Sequence, residues 1–186
     1  MKFLKWLGKN LVILLAILVV LALINRWYLG GFTKLEVKEQ PMGPYAIAYV
    51  HFIGEYGKVW PSMTKVYNIL SGAWITSLTG IGIYYDDPAV VSWINLRSDI
   101  GAVIAIQDIK TLAKNKDIQT KTLPAGKKMV VEFPMKNTLS VMMGVMKVYP
   151  VITKYMQEKG YKAVPMIELY DSTAKKIYYI ADIAVK

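Results

Sequence analysis

Glu168 is the residue of this 186-residue chain whose setting most suggests chemistry. It interrupts an apolar, strand-like segment with the sequence VPMIELYD. A glutamate in such a strand most often points to water. If the side chain is instead desolvated, the unpaired carboxylate is costly, and a lipophilic cation would supply the missing charge. Aromatic rings around that cation would add cation-π and stacking attraction.

Six aromatic residues are candidates for these rings. Taken singly, each ring is explained more simply by core packing, but as a set they exceed what a core of this size requires. The predicted ligand-binding residues are therefore Glu168, Trp60, Trp74, Tyr84, Trp93, Tyr149 and Tyr170.

Other chemical patterns are weak. His51 is the only histidine and the chain has no cysteine, which disfavours a histidine-based triad and a cysteine-histidine metal site. Asp86 and Asp87 fit a turn before Pro88 better than a pair of calcium ligands. We therefore predict no catalytic residue, no metal and no cofactor.

Residues 1–30 predict a single transmembrane anchor. An apolar run covers residues 11–24, and its flanks extend it to the length of about 20 residues that a bilayer requires. Trp6, Trp27 and Tyr28 would lie at the two interfaces. A cleaved signal peptide is the alternative, but large residues stand where a small-x-small cleavage site would follow.

Charge suggests the orientation of this anchor and its surroundings. Lys2, Lys5 and Lys9 precede the apolar run, which predicts a cytoplasmic N-terminus and a domain on the outer or periplasmic side. The net charge of +10 comes almost entirely from lysine, because Arg26 and Arg97 are the only arginines. Arginine is favoured for reading bases and phosphates, so we expect no nucleic-acid partner. The surplus lysines either attract anionic lipid headgroups or form a solvated surface.

Short matches at nearly constant offset indicate that the domain at residues 31–186 is duplicated. The matching pairs are Lys65-Val66-Tyr67 with Lys147-Val148-Tyr149, Tyr85-Asp86 with Tyr170-Asp171, and Asp99-Ile100 with Asp182-Ile183. Three matches in order predict repeat one at about 35–106, a connector at 107–126 and repeat two at 127–186, related by a pseudo-twofold axis. Aligned through Tyr-Asp, Ile83 corresponds to Glu168.

Each repeat is expected to form a strand, a helix and a hairpin. Apolar periodicity and turn residues predict strands at 45–53, 81–85, 94–106, 128–133, 164–170 and 177–185, with helices at about 57–70 and 139–159. The predicted fold class is α+β: tandem β-α-β-β repeats share one antiparallel sheet with two helices on one face, preceded by a single transmembrane helix.

Six segments in order carry a family resemblance. They are GIYYDDP, LRSDIGAVI, LPAGKKMVVEFP, KVYP, PMIELYD and IYYIADI. Over about residues 38–185 the chain resembles the GyrI-like small-molecule-binding domain, the effector module of AraC-type and multidrug-sensing regulators. The resemblance implies a ligand pocket in the groove between two repeats, where the glutamate before the family tyrosine faces cationic ligands. Here a membrane helix stands where the regulators carry a helix-turn-helix domain.

Three functions follow as hypotheses. We favour a membrane-tethered, multidrug-binding-like protein that captures lipophilic, cationic or amphipathic small molecules between the repeats. The first alternative is an enzyme, since some GyrI-like relatives hydrolyse strained electrophiles and Glu168 could activate water. The second is a protein-interaction scaffold with a vestigial pocket, for which the sequence indicates no particular partner.

Overall fold

The computed structural model describes residues 2–185, with side chains described for residues 10–185. The predicted interfacial residue Trp6 and the lysines Lys2, Lys5 and Lys9 therefore lie outside the described side chains. Helix α1 (Lys2–Tyr28) contains a 19-residue stretch, Asn10–Tyr28, that is apolar enough to cross a membrane, with mean hydropathy 2.3. None of this stretch is buried against the rest of the chain.

The remaining chain forms one curled antiparallel sheet and three further helices. The strands are β1 (Lys38–Met42), β2 (Tyr45–Ile53), β3 (Thr79–Tyr84), β4 (Arg97–Ile104), β5 (Gln119–Leu123), β6 (Gly126–Pro134), β7 (Met166–Asp171) and β8 (Lys176–Asp182). The helices are α2 (Trp60–Gly72), α3 (Asp108–Leu112) and α4 (Thr138–Lys159). The strand order is β1-β6-β8-β7-β3-β4-β2-β5. The predicted α+β class, the single antiparallel sheet and the N-terminal apolar helix are confirmed.

The sheet has two more strands than the sequence predicts. The predicted connector at 107–126 contains α3 and β5. The other extra strand, β1, includes Pro41, a residue type that disfavours strands. Both extra strands lie at the edges of the sheet, where a proline and exposed lysines are tolerated because one side of the strand makes no ladder hydrogen bonds. Edge strands of this kind carry little hydrophobic periodicity.

The two halves of the sheet have the same pairing pattern. From the central β3·β7 pair outward, β3 is followed by β4, β2 and β5, and β7 is followed by β8, β6 and β1. The outermost strands are exchanged between the halves. β1 precedes β2 in the chain but pairs with β6 in the other half, and β5 precedes β6 but pairs with β2. This order is compatible with a pseudo-twofold duplication, which itself stays a prediction.

Helices α2 and α4 lie on one face of the sheet. α2 packs mainly on β2 and β4, and α4 mainly on β6 and β8, so the central strands β3 and β7 lie between the two helices. Pro61 occupies the first turn of α2, where a missing N–H is tolerated. Asn137 caps α4 in a capping box with Ser140, and left-handed Gly160 ends it. α4 continues through Pro150.

Candidate ligand-binding site

Glu168 lies in the middle of β7, on the sheet face that carries α2 and α4. Its side chain is 2% exposed. The hydroxyl of Tyr149 on α4 donates to Glu168 Oε1 at 2.7 Å, and the hydroxyl of Tyr170 on β7 donates to Oε2 at 2.6 Å. Because the Tyr170 hydroxyl proton points to the carboxylate, the Tyr170 oxygen can only accept in its 3.2 Å contact with Tyr84. The Tyr84 hydroxyl is therefore the donor to Tyr170.

Further aromatic side chains pack around the rings of Tyr170 and Tyr84. The Trp60 ring lies 6.2 Å from that of Tyr170, centroid to centroid, and is 44% exposed. Tyr56 packs edge-to-face on Tyr84 at 4.8 Å. Two cavities are described at the surface, and neither is lined by Glu168 or its tyrosines. Glu168 is therefore closed off from solvent by side chains that would have to move before a ligand could reach it.

Burial controls the ionisation of this cluster. Desolvation raises the pKa of Glu168 above its usual value, and the hydrogen bonds from Tyr170 and Tyr149 only partly oppose this effect. Burial and the neighbouring carboxylate also raise the pKa of both tyrosines, so their hydroxyls remain protonated donors. No lysine, arginine or histidine side chain of residues 10–185 lies within ion-pair distance of Glu168. The carboxylate has hydrogen bonds but no counter-charge.

The register of β3 against β7 sets a glycine opposite Glu168, and the Tyr84 ring occupies the space that a side chain there would fill. Gly82 is the cross-strand partner of Glu168. A Cβ atom at Gly82 would lie 2.8 Å from the Tyr84 hydroxyl and ring edge, so the glycine lets the Tyr84 ring fold back over the strand. Ile83, which the repeat alignment sets against Glu168, lies in the apolar cluster on the opposite face. A shift of one residue in a strand reverses the face, so this detail of the alignment does not hold.

The structure brings four of the six predicted rings into one cluster with Glu168: Tyr149 and Tyr170 donate to its carboxylate, and Tyr84 and Trp60 lie against Tyr170. It does not bring the other two there. Trp74 is 96% exposed in a left-handed backbone conformation just after α2. Trp93 is 60% exposed in a short 3₁₀ turn, with the Lys58 ammonium 5.8 Å from its ring.

Sequence reasoning missed three residues of the site. Tyr56 lies in the loop after β2, and Tyr179 on β8 packs edge-to-face on Tyr149 at 6.0 Å. Ser98 is fully buried beside Tyr84 on the neighbouring strand, and its hydroxyl has no hydrogen-bond partner within the described part of the chain. The alternation of β8 could have indicated Tyr179, whereas no local signal marks the loop tyrosine or the serine.

Comparison with known proteins places this geometry in a family. The model of the GyrI-like small molecule binding domain matches residues 70–186. Testis-expressed protein 264 of Homo sapiens is 25% identical over 180 residues, covering 92% of this chain and 55% of the relative. The chain thus spans about half the length of the curated relatives it matches.

Two solved structures share the fold. EcmrR in a complex with DNA superposes with a TM-score of 0.60 at 12% identity, covering 90% of this chain and 65% of EcmrR. SAV2435 bound to tetraphenylphosphonium superposes with a TM-score of 0.50 at 17% identity, covering 78% of this chain and 91% of SAV2435. At these identities the likeness concerns the fold alone. The family match across more than half of the sequence shows that this chain belongs to the GyrI-like small-molecule-binding domain family.

Proposed function

We propose that this protein captures lipophilic cations in the groove between α2 and α4, with Glu168 as the counter-charge, while α1 tethers it to a membrane. One observation carries the proposal: Glu168 is desolvated and hydrogen-bonded, yet it has no cation among the described side chains. A desolvated carboxylate is destabilising until a positive charge joins it. A bound cation would pair with this carboxylate and offset the desolvation penalty that the carboxylate carries in the ligand-free protein.

The aromatic surroundings support a cation with an apolar body. Three tyrosines and Trp60 form one cluster with the carboxylate, and aromatic rings both attract cations and pack against hydrocarbon. Tetraphenylphosphonium, the compound bound to SAV2435, has both properties. Rotation of Trp60, the most exposed of these rings, would open the shortest route to Tyr170 and Glu168.

Titration of the purified full chain with tetraphenylphosphonium tests this proposal. Replacing Glu168→Gln keeps the size of the side chain and removes the charge, so we expect the Kd for the cation to rise about tenfold or more, equivalent to about 1.4 kcal/mol. Glu158→Gln is the matched control, since Glu158 is exposed and pairs only loosely with Lys154 at 3.8 Å. Neutral triphenylphosphine oxide should lose little affinity for the Glu168 variant. Equal weakening of both compounds, or none, would remove Glu168 from binding.

Membrane tethering is supported by α1, whose apolar stretch is fully exposed and ends in Trp27 and Tyr28. Such a surface is stable only in hydrocarbon or against another apolar partner. Lipophilic ligands partition into bilayers, so a tethered receptor would meet them at raised concentration. Retention in the membrane pellet after alkaline carbonate extraction is the expected result, and release would contradict the tether. Protease accessibility of the domain in intact cells tests the predicted outer or periplasmic location.

A hydrolase of strained electrophilic small molecules is the second candidate. It is favoured by the raised pKa of Glu168 and by the two hydroxyls that orient the carboxylate, since a general base works best near the operating pH. Glu168 would accept a proton from the attacking water, the hydroxyl oxygen would bond to the electrophilic carbon as the strained bond breaks, and the proton would then pass from Glu168 to the released atom. Turnover of an electrophilic ligand that is lost in Glu168→Gln would favour this function over capture.

A protein-interaction scaffold is the third candidate, and the closed groove favours it. Glu168 is covered by its own tyrosines, and neither described cavity reaches it. If a panel of lipophilic cations leaves the thermal stability of the full chain unchanged, the groove is vestigial and the scaffold is the better explanation.

A further inference from the structure

The chain that leaves α1 is clamped onto the domain. The Lys147 ammonium on α4 donates to the backbone carbonyl oxygens of Gly30, Gly31 and Thr33 at 3.3, 2.8 and 3.0 Å. Leu29 is 6% exposed, and a Cβ atom at Gly30 would lie 2.9 Å from the Phe133 ring. The end of α1 is thereby held against α4 and β6, so the side of the domain formed by these two elements lies next to α1.

A basic cavity lies on this same side. It has a volume of about 570 Å³, and its walls include Thr33, Phe133 and Pro134, close to the clamp. Five lysines line it: Lys34, Lys38, Lys136, Lys175 and Lys176. Two acidic residues, Glu36 and Glu132, also line it, and Glu132 is paired with Lys176 at 2.6 Å. The other four lysines form no ion pair with a carboxylate of residues 10–185.

Exposed apolar side chains lie on the segment after α1 and on α4, the two elements that the clamp joins. Phe32, next to the clamped glycines, is 60% exposed, and the first turns of α4 expose Leu139, Met142 and Met146 by 55%, 58% and 74%. Apolar side chains beside lysines are the composition of surfaces that rest in the headgroup region of a bilayer.

We infer that this cavity binds the phosphate headgroup of an anionic phospholipid in the leaflet next to the end of α1. The inference rests on the proposed membrane tether and deepens it. Its support is the position of four uncommitted ammonium groups around one concave site of headgroup size, at the point where the chain leaves α1. Ammonium groups donate charge-assisted hydrogen bonds to phosphate oxygens, and each basic residue near an anionic leaflet adds to the attraction.

Native mass spectrometry of the detergent-solubilised full chain tests the inference. The probes are phosphatidylglycerol and phosphatidylcholine with the same acyl chains. We expect preferential retention of phosphatidylglycerol, and a loss of about tenfold or more in Lys136→Glu/Lys175→Glu, which changes two cavity lysines. The matched control is Lys114→Glu/Lys116→Glu, which changes the net charge equally at two exposed residues outside the cavity.

Each outcome decides the matter. Selective loss in the cavity variant supports the inference, whereas equal loss in both variants shows diffuse attraction by net charge and overturns it. Inorganic phosphate at millimolar concentration is the second arm: if it displaces the lipid completely, the cavity is a free-phosphate site and the lipid assignment is wrong. Failure here leaves the Glu168 titration and carbonate extraction unaffected, so the tether and the cation site are judged separately.

Discussion

Among the side chains of residues 10–185, two buried carboxylates lie on opposite faces of the central sheet, and only Asp99 has a cation beside it. Asp99 on β4 is 4% exposed and contacts His51 at 2.8 Å, the Tyr85 hydroxyl at 2.6 Å and the Lys121 ammonium. Glu168 is 2% exposed and contacts tyrosine hydroxyls alone. The first cluster is complete within the chain, whereas the second lacks a positive charge.

This difference shifts the pKa values of the two carboxyl groups in opposite directions. Burial alone would raise the pKa of Asp99, but the hydrogen bonds from His51, Lys121 and Tyr85 outweigh it and hold the pKa below its usual value. Burial raises the pKa of Glu168 because two neutral hydroxyls cannot compensate for lost hydration. The neighbouring cation therefore distinguishes Asp99, whose charge is balanced within the chain, from Glu168, which we propose as the counter-charge of a ligand.

Removing the cation should make Asp99 resemble Glu168, at a large cost. Lys121→Met leaves the buried Asp99 carboxylate with its contacts to His51 and Tyr85 but without its ammonium partner, and we expect a loss of about 3 kcal/mol in the free energy of unfolding, at the low end for such pairs because the Lys121 side chain is 29% exposed. Urea unfolding followed by tryptophan fluorescence measures it. Lys114→Met is the control. Asp99→Asn added to Lys121→Met should recover part of the loss, and a loss below 1 kcal/mol in the single variant would contradict the comparison.

Adding a side-chain atom at Gly82 should disturb the Glu168 cluster and leave the Asp99 cluster on the opposite face unchanged. In Gly82→Ala the new Cβ would push the Tyr84 ring, which is rigid, away from Tyr170, at a cost of about 1 to 3 kcal/mol in unfolding free energy. Affinity for tetraphenylphosphonium should fall in the same variant. Gly126→Ala is the control, since a Cβ there meets nothing within 4 Å. An unchanged affinity would show that the position of Tyr84 does not matter to binding.

The two carboxylates should respond to pH with opposite sign. The folded pKa of Glu168 is raised, so the folded state holds a proton that the unfolded state has released, and stability falls as pH rises from about 4.5 through the folded pKa. The slope reaches at most about 1.4 kcal/mol per pH unit. Glu168→Gln should remove this fall. Asp99 contributes stability that is lost as pH falls below about 3.8, and Asp99→Asn should remove that loss. Chemical denaturation at a series of pH values gives both curves.

The smallest effect is expected at His51. Its side chain is 45% exposed, and Lys121 and Tyr85 remain on Asp99 when it is changed. His51→Gln should therefore cost less than about 1 kcal/mol in unfolding free energy. A larger loss would mean that the imidazole, rather than Lys121, is the main partner of Asp99.

Local sequence patterns predicted the strands that carry Glu168, Asp99 and His51, but not β5, the strand that carries Lys121. The glutamate is conspicuous because its strand is apolar, and Tyr149 follows from the stripe of α4. Lys121 lies on β5, an edge strand with little periodicity, and it reaches Asp99 only because β5 pairs with β2. Pairings over such sequence distances leave no local signal.

Side-chain exposure was the least predictable feature of the site. Trp60 and Trp74 are both large aromatic residues of the α2 region, yet one lies over the groove and the other projects into solvent. The left-handed conformation of Trp74 sets that direction, and nothing in the neighbouring residues predicts it.

The clamp at Lys147 links two distant parts of the molecule through a single turn of α4. Lys147 holds the carbonyls that follow α1, and Tyr149, two residues later, holds Glu168. If the proposed ligand displaces the Tyr149 hydroxyl and shifts this turn, the same movement would reach the carbonyls that Lys147 holds. Binding would then change the angle between the domain and α1, the proposed membrane tether.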